Sequence, residues 1–224
     1  MLNVCTLLWE PNEFSFTFSR AYSEEWVERL YAGFRRNLTM PFNFICYVDR
    51  LREMSGDIVQ VKLDNPKPTV RDCLQPFEIN EPMILVGLDT MVIRNIDHLA
   101  EYVLRGDFRT WPMLLPRDPF KKDRRSCNGV CLVPAGHEFV WKRRTNLDDM
   151  AEVRRWPHKQ IDDVFPGSVV SYKGHVLGQS DIHQAGLARA QPRGLDGVDI
   201  VYFHGEPKMQ SLRTEKWVKE HWRR

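Results

Sequence analysis

Pro82-Met83-Ile84-Leu85-Val86-Gly87-Leu88-Asp89-Thr90 is an apolar run that stops on a carboxylate. It is too short to cross a membrane and too continuous for a strand with one wet face, so it predicts a central strand buried on both sides, with parallel neighbours. Such a strand needs a packed layer above and below it, which restricts the chain to an α/β sheet flanked by helices. Asp89 then stands at the carboxyl end of the strand, the edge of an open sheet at which ligands bind. A second segment, Val201-Tyr202-Phe203-His204-Gly205-Glu206-Pro207-Lys208, offers it polar partners.

The flanking sequence fits that frame. Residues 3–8 read as a first strand, followed by an aromatic and hydroxyl-rich loop. Ser23 caps a helix over 24–37, with Glu24 and Glu25 in its first turn and Arg35 and Arg36 in its last, as the helix dipole favours. Trp26, Val27, Leu30, Tyr31 and Phe34 recur at helical spacing and form its buried face. Strands follow at 42–48, ending on Asp49, and at 58–63, and then an irregular proline-rich connection precedes the Ile84 strand. Beyond it come a helix over 95–104, strands at 111–115 and 129–133, and a helix over 136–144. Residues 146–163 are highly charged and poorly patterned. Strands at 169–172 and 198–203 and a basic helix over 214–224, packing Trp217 and Trp222 on the body, complete the pattern. Strands alternating with helices first and shorter strands later predict a mixed, mostly parallel sheet in a single domain over 1–224.

The 224 residues carry 32 basic against 30 acidic side chains, a formal charge of +2, which does not suit a dedicated nucleic-acid binder. The basic runs at 121–125, 142–144 and 222–224 read as solvated faces. Five cysteines without paired spacing exclude a disulfide framework and fit a reducing compartment. Cys5 and Cys46 sit in apolar strands as core thiols, while Cys127 and Cys131 lack the second ligand pair that a zinc site requires. The first residues alternate like a strand and have no basic leader, and no apolar stretch reaches transmembrane length. The expectation is a cytoplasmic protein, with any membrane association peripheral.

Four pieces in this order resemble a known family: Gly87-Leu88-Asp89-Thr90, Cys127-Asn128-Gly129-Val130, Val170-Ser171-Tyr172-Lys173 and Phe203-His204-Gly205-Glu206-Pro207-Lys208. Together they look like a GT-A fold glycosyltransferase related to the bacterial and phage enzymes of glycosyltransferase family 8, with the resemblance running from Asn3 to Lys208. It implies transfer of a hexose from a UDP-sugar to an acceptor hydroxyl, with retention of configuration and the help of Mn²⁺ or Mg²⁺. The acceptor is not readable; a glycan or a lipid-linked precursor fits equally.

By that resemblance, Asp89 and His204 are the metal ligands, and Lys208 and Gly205 meet the diphosphate, the lysine as a point charge and the glycine by allowing close backbone approach. The departing diphosphate develops negative charge that a hard cation with oxygen and imidazole ligands would stabilise. Trp9 or Tyr22 offers the base a stacking face, Asp49 resembles an acid that contacts uracil, and Leu88 joins the nucleotide contacts. Asn128 faces the sugar hydroxyls. The place of an acidic-Gln pair in the sugar site falls to His158-Lys159-Gln160, with Gln160 the candidate, or to Asp162-Asp163. No nucleophile is assigned. Two departures stand out: the first acid of the Asp-x-Asp motif is Gly87, and the family's metal histidine falls on Tyr202, with His204 shifted to the position before Gly205. A GT-A module that binds a nucleotide sugar or glycan without transferring it is therefore the alternative.

Overall fold

The computed structural model describes residues 1–118, 126–174, 180–181 and 195–224. Strands β1 (Leu2–Leu8), β2 (Phe42–Val48), β3 (Ile58–Lys62) and β4 (Met83–Val86) are followed by β5 (Thr90–Val92), β6 (Met113–Leu115), β7 (Val130–Val133) and β8 (His158–Gln160). The last strands are β9 (Val169–Gly174), β10 (Ser180–Asp181) and β11 (Ile200–Phe203). Seven of them form one sheet in the order β3-β2-β1-β4-β7-β6-β8, and a second sheet runs β10-β9-β11-β5. The larger sheet is mostly parallel; only β7 runs against its neighbours β4 and β6. The strand predicted from the apolar run is thus central, with a parallel neighbour on one side and an antiparallel one on the other.

The continuity of that run has a direct cause. Side chains alternate across a strand, and Ile84 and Val86 enter one hydrophobic core while Met83 and Leu85 enter the other. β1 does the same, with Leu2, Val4 and Leu8 on the first face and Cys5 on the second. Each such side chain gains about 1.5–3 kcal/mol from burial, so neither strand can carry a polar face.

Helices α1 (Phe16–Ser19), α2 (Glu24–Asn37), α3 (Asp97–Leu104), α4 (Phe139–Lys142), α5 (Asp149–Arg154) and α6 (Ile161–Val164) connect the strands. Trp26, Val27, Leu30 and Phe34 of α2 are buried, and Gly33 lies against Val92 of β5. Ser23 is the N-cap residue, but its side chain makes no capping hydrogen bond. The C-terminal helix Lys216–His221 is shorter than expected; Trp222 packs edge-on to Trp26 at 4.9 Å and Trp217 stacks on Phe203. No helix among the described residues is long and apolar enough to cross a membrane.

Two stretches are more ordered than the sequence pattern suggests. The proline-rich connection contains a 3₁₀ segment, Val70–Ile79, begun by a capping box in which Thr69 and Asp72 satisfy each other's backbone N–H groups. The charged stretch 146–163 holds α5, β8 and the start of α6. In contrast, the helix expected over 136–144 contracts to α4. The basic run 121–125 and most of the loop between β9 and β11 lie outside the described residues.

Candidate functional site

β4 belongs to the large sheet and β5 to the small one, so Gly87, Leu88 and Asp89 form the joint between them. Backbone bonds fix both sides of that joint: Gly87 N–H donates to the Gly129 carbonyl at 3.2 Å, and Phe203 N–H donates to the Asp89 carbonyl at 2.8 Å. Because β11 pairs antiparallel with β5, the end of β11 delivers His204 and its loop beside Asp89. Gly205 then adopts φ 85°, a left-handed conformation that glycine takes without a Cβ penalty. The chain folds back there, and Lys208 Nζ reaches both Asp89 Oδ2 and the Phe203 carbonyl, the latter at 2.9 Å.

A cavity of about 550 Å³ opens over this joint. Trp9, Tyr22, Leu88, Asp89, Asn128, His204, Gly205 and Lys208, all named from the sequence, line it together. Tyr22 donates its hydroxyl to Asp89 Oδ2 at 2.9 Å, and burial followed by the Asp89 charge pushes its phenol far up, so it serves as a donor. Trp9 is buried and packs edge-on to Phe18 at 6.0 Å.

Asp49 and Gln160 are not in the cavity lining. Asp49 accepts from the Arg52 guanidinium at 2.8 Å and from Glu10 N–H at 3.1 Å. Burial pushes its carboxyl up, but those hydrogen bonds and the guanidinium charge prevail and hold it below the ordinary value. Arg52 also binds Glu24 at 2.7 Å, and both line a separate hollow together with Arg50 and Glu53. Gln160 Oε1 accepts from Arg117 Nε at 3.0 Å and Nη2 at 2.9 Å.

Tyr202, at the position of the expected metal histidine, sends its hydroxyl to the Arg117 carbonyl at 2.9 Å, with Cys127 Sγ 3.5 Å away. Gly129 is required beneath it: a Cβ there would lie 2.5 Å from Tyr202 Cδ2. Cys127 and Cys131 are buried free thiols; burial raises the first to about 11 and the second further, so neither is poised as a thiolate ligand. Among the described residues no three His, Cys, Asp or Glu side chains gather into a group able to hold a metal ion.

The sequence reading passed over Asp149, which lines the same cavity from the start of α5. Asn128 Nδ2 donates to its Oδ2 at 2.6 Å and Met150 N–H to its Oδ1 at 2.8 Å. Burial nevertheless raises its carboxyl above the ordinary value, against the pull of Asn128 and the Cys73 thiol. The Asp148-Asp149 pair at a helix start was the available signal, masked by the surrounding charges.

No protein-family model and no curated protein matches the sequence. Solved structures match the fold. The galactosyltransferase LgtC, in complex with donor and acceptor sugar analogs, aligns over 99% of this chain and 97% of its own at TM-score 0.53 and 9% identity. The apo structure of the bifunctional glycosyltransferase WbbM gives 0.56 at 8% identity, over 98% of this chain and half (50%) of that one. The glycosyltransferase GlyE of Streptococcus pneumoniae TIGR4 gives 0.54 at 12% identity, over 92% and 55%. The architecture is the GT-A fold of these glycosyltransferases.

Proposed function

We propose that this chain transfers a hexosyl group from a UDP-sugar to an acceptor hydroxyl, with retention of configuration. The observation that carries the reading is the gathering of Tyr22, Asp89, Asn128 and Lys208 around one cavity at the joint between the two sheets of a GT-A fold. Trp9 and Tyr22 supply aromatic surface for the base, and Asn128 with Asp149 supplies polar groups for sugar hydroxyls.

In the reaction the bond between the anomeric carbon and the diphosphate oxygen breaks with its electron pair leaving on the diphosphate, and the acceptor oxygen bonds to that carbon as its proton passes to the departing diphosphate. Negative charge grows on the leaving diphosphate, and a preorganised cation beside it lowers the barrier. Among the described residues Lys208 and Arg20 both line the cavity; Lys208, ion-paired to Asp89, is the anchored one, whereas Arg20 is exposed. Retention rests on the resemblance to family 8 alone.

A panel of UDP-sugars, each incubated with the protein and assayed for released UDP, tests the reading. Turnover of at least one donor, enhanced by a glycan acceptor, is expected. UDP that binds while every donor stays intact would favour a nucleotide-sugar-binding module instead.

A further inference from the structure

We infer that Lys208 is the built-in cation of this cleft, standing where a divalent ion would otherwise sit, so that a nucleoside diphosphate binds here without added metal. The inference rests on the nucleotide-sugar reading above and concerns how that same site manages charge.

The four positions at which the resemblance looks for ion ligands, 87, 89, 202 and 204, do not converge on one ion. Gly87 has no side chain, and a Cβ added there would stand 2.7 Å from Asp89 Oδ1, so any ligand grown from it must first push that carboxylate aside. Tyr202 is turned to the Arg117 carbonyl. One Asp89 oxygen, Oδ2, already takes both the Lys208 ammonium and the Tyr22 hydroxyl. His204 lines the cavity as well, but among the described residues no three such side chains gather, so an ion here would draw most of its ligands from the diphosphate itself.

The ammonium, by contrast, is well anchored. Both partners of the ion pair are largely shielded, with the Lys208 side chain 11% and the Asp89 side chain 18% exposed. An ammonium carries three donors. Asp89 and the Phe203 carbonyl take two, which leaves one for a phosphate oxygen in the cavity that Lys208 lines. Asp89 and Tyr22 hold the charge in place, and the positive-φ turn at Gly205 brings the lysine back to them. Glu206, exposed at the cavity rim, is the acid that an incoming diphosphate would have to pass.

The test is a calorimetric titration of UDP into the full chain, once with excess EDTA and once with excess Mn²⁺, repeated for Lys208→Met. The inference expects wild-type affinity in EDTA within about threefold of that in Mn²⁺, and a loss of roughly tenfold or more for Lys208→Met in EDTA, as for removal of a charged hydrogen-bond donor. Binding by the wild type only when Mn²⁺ is present would overturn the inference and leave the nucleotide-sugar reading standing. Absence of UDP binding in both media would overturn that reading, and the inference with it. The wild-type comparison needs no variant, so poor folding of Lys208→Met cannot shelter the idea.

Discussion

Lys208 and Asp89, 119 positions apart in the chain, are ion-paired at the joint between the two sheets, and Tyr22 completes the contact by donating to the same carboxylate oxygen at 2.9 Å. The pair ties the loop after β11 to the loop after β4. It therefore connects the packing of the fold to the chemistry of its cleft.

A pair this shielded should show energetic coupling. Removing either partner strands a part-buried charge, at a cost of about 1–3 kcal/mol. Lys208→Met and Asp89→Asn should each lower the urea midpoint, while the double variant should lose clearly less than the sum. Strict additivity would mean that the contact contributes nothing to stability.

Gly129 and Tyr202 form a second tight contact. Gly129→Ala should destabilise by about 1–3 kcal/mol, because the Cβ must displace a ring whose hydroxyl is held by the Arg117 carbonyl. Tyr202→Phe, which removes only the hydroxyl and its contacts with the Arg117 carbonyl and Cys127 Sγ, should cost about 1 kcal/mol. Thermal unfolding of both variants measures the difference, and a neutral Gly129→Ala would contradict the packing described.

Asp149 should act on the sugar rather than on the nucleotide. With its carboxylate in the cavity and Asn128 held against it at 2.6 Å, Asp149→Asn is expected to reduce turnover of the preferred UDP-sugar about tenfold while UDP alone binds as before. Steady-state kinetics together with UDP titration separates the two effects. Equal losses in both would place Asp149 in the scaffold.

His137 gives the protein a defined acid sensitivity. Burial pushes its imidazole below the ordinary 6.5, only partly opposed by hydrogen bonding to the Pro134 and Ala135 carbonyls. As pH falls from 6.5, the unfolded chain takes up this proton first and binds more protons than the folded chain, so stability falls; the loss levels off once the folded imidazole is also protonated. His137→Asn should flatten that part of the stability curve relative to wild type. An unchanged slope between the two proteins would remove His137 as its source.

Much of this was legible in the sequence because the responsible forces are local or periodic. Met83 to Val86 announced a strand buried on both faces since each face meets its own core, and Trp26 to Phe34 announced α2 by spacing alone. Asp89 could be placed at the sheet edge because its strand ends there, whereas Tyr22, Asn128 and Lys208 joined it only through the resemblance to the GT-A enzymes. What could not be read depends on contacts distant in the chain. Nothing near Lys208 tells that the turn at Gly205 brings its ammonium to Asp89, and nothing near Asp49 tells that Arg52 and Glu10 take up its carboxylate. Asp149 was hidden by neighbours of like charge, and the capping box at Thr69 by the prolines around it.

A crystal structure grown with UDP and EDTA tests the central claim most directly. The account predicts a diphosphate in the cavity of Tyr22, Asp89 and Lys208, with a phosphate oxygen within hydrogen-bonding distance of Lys208 Nζ and the base against Trp9 or Tyr22. UDP lodged at another surface, or a diphosphate that enters this cavity only around a newly added divalent ion, would contradict it.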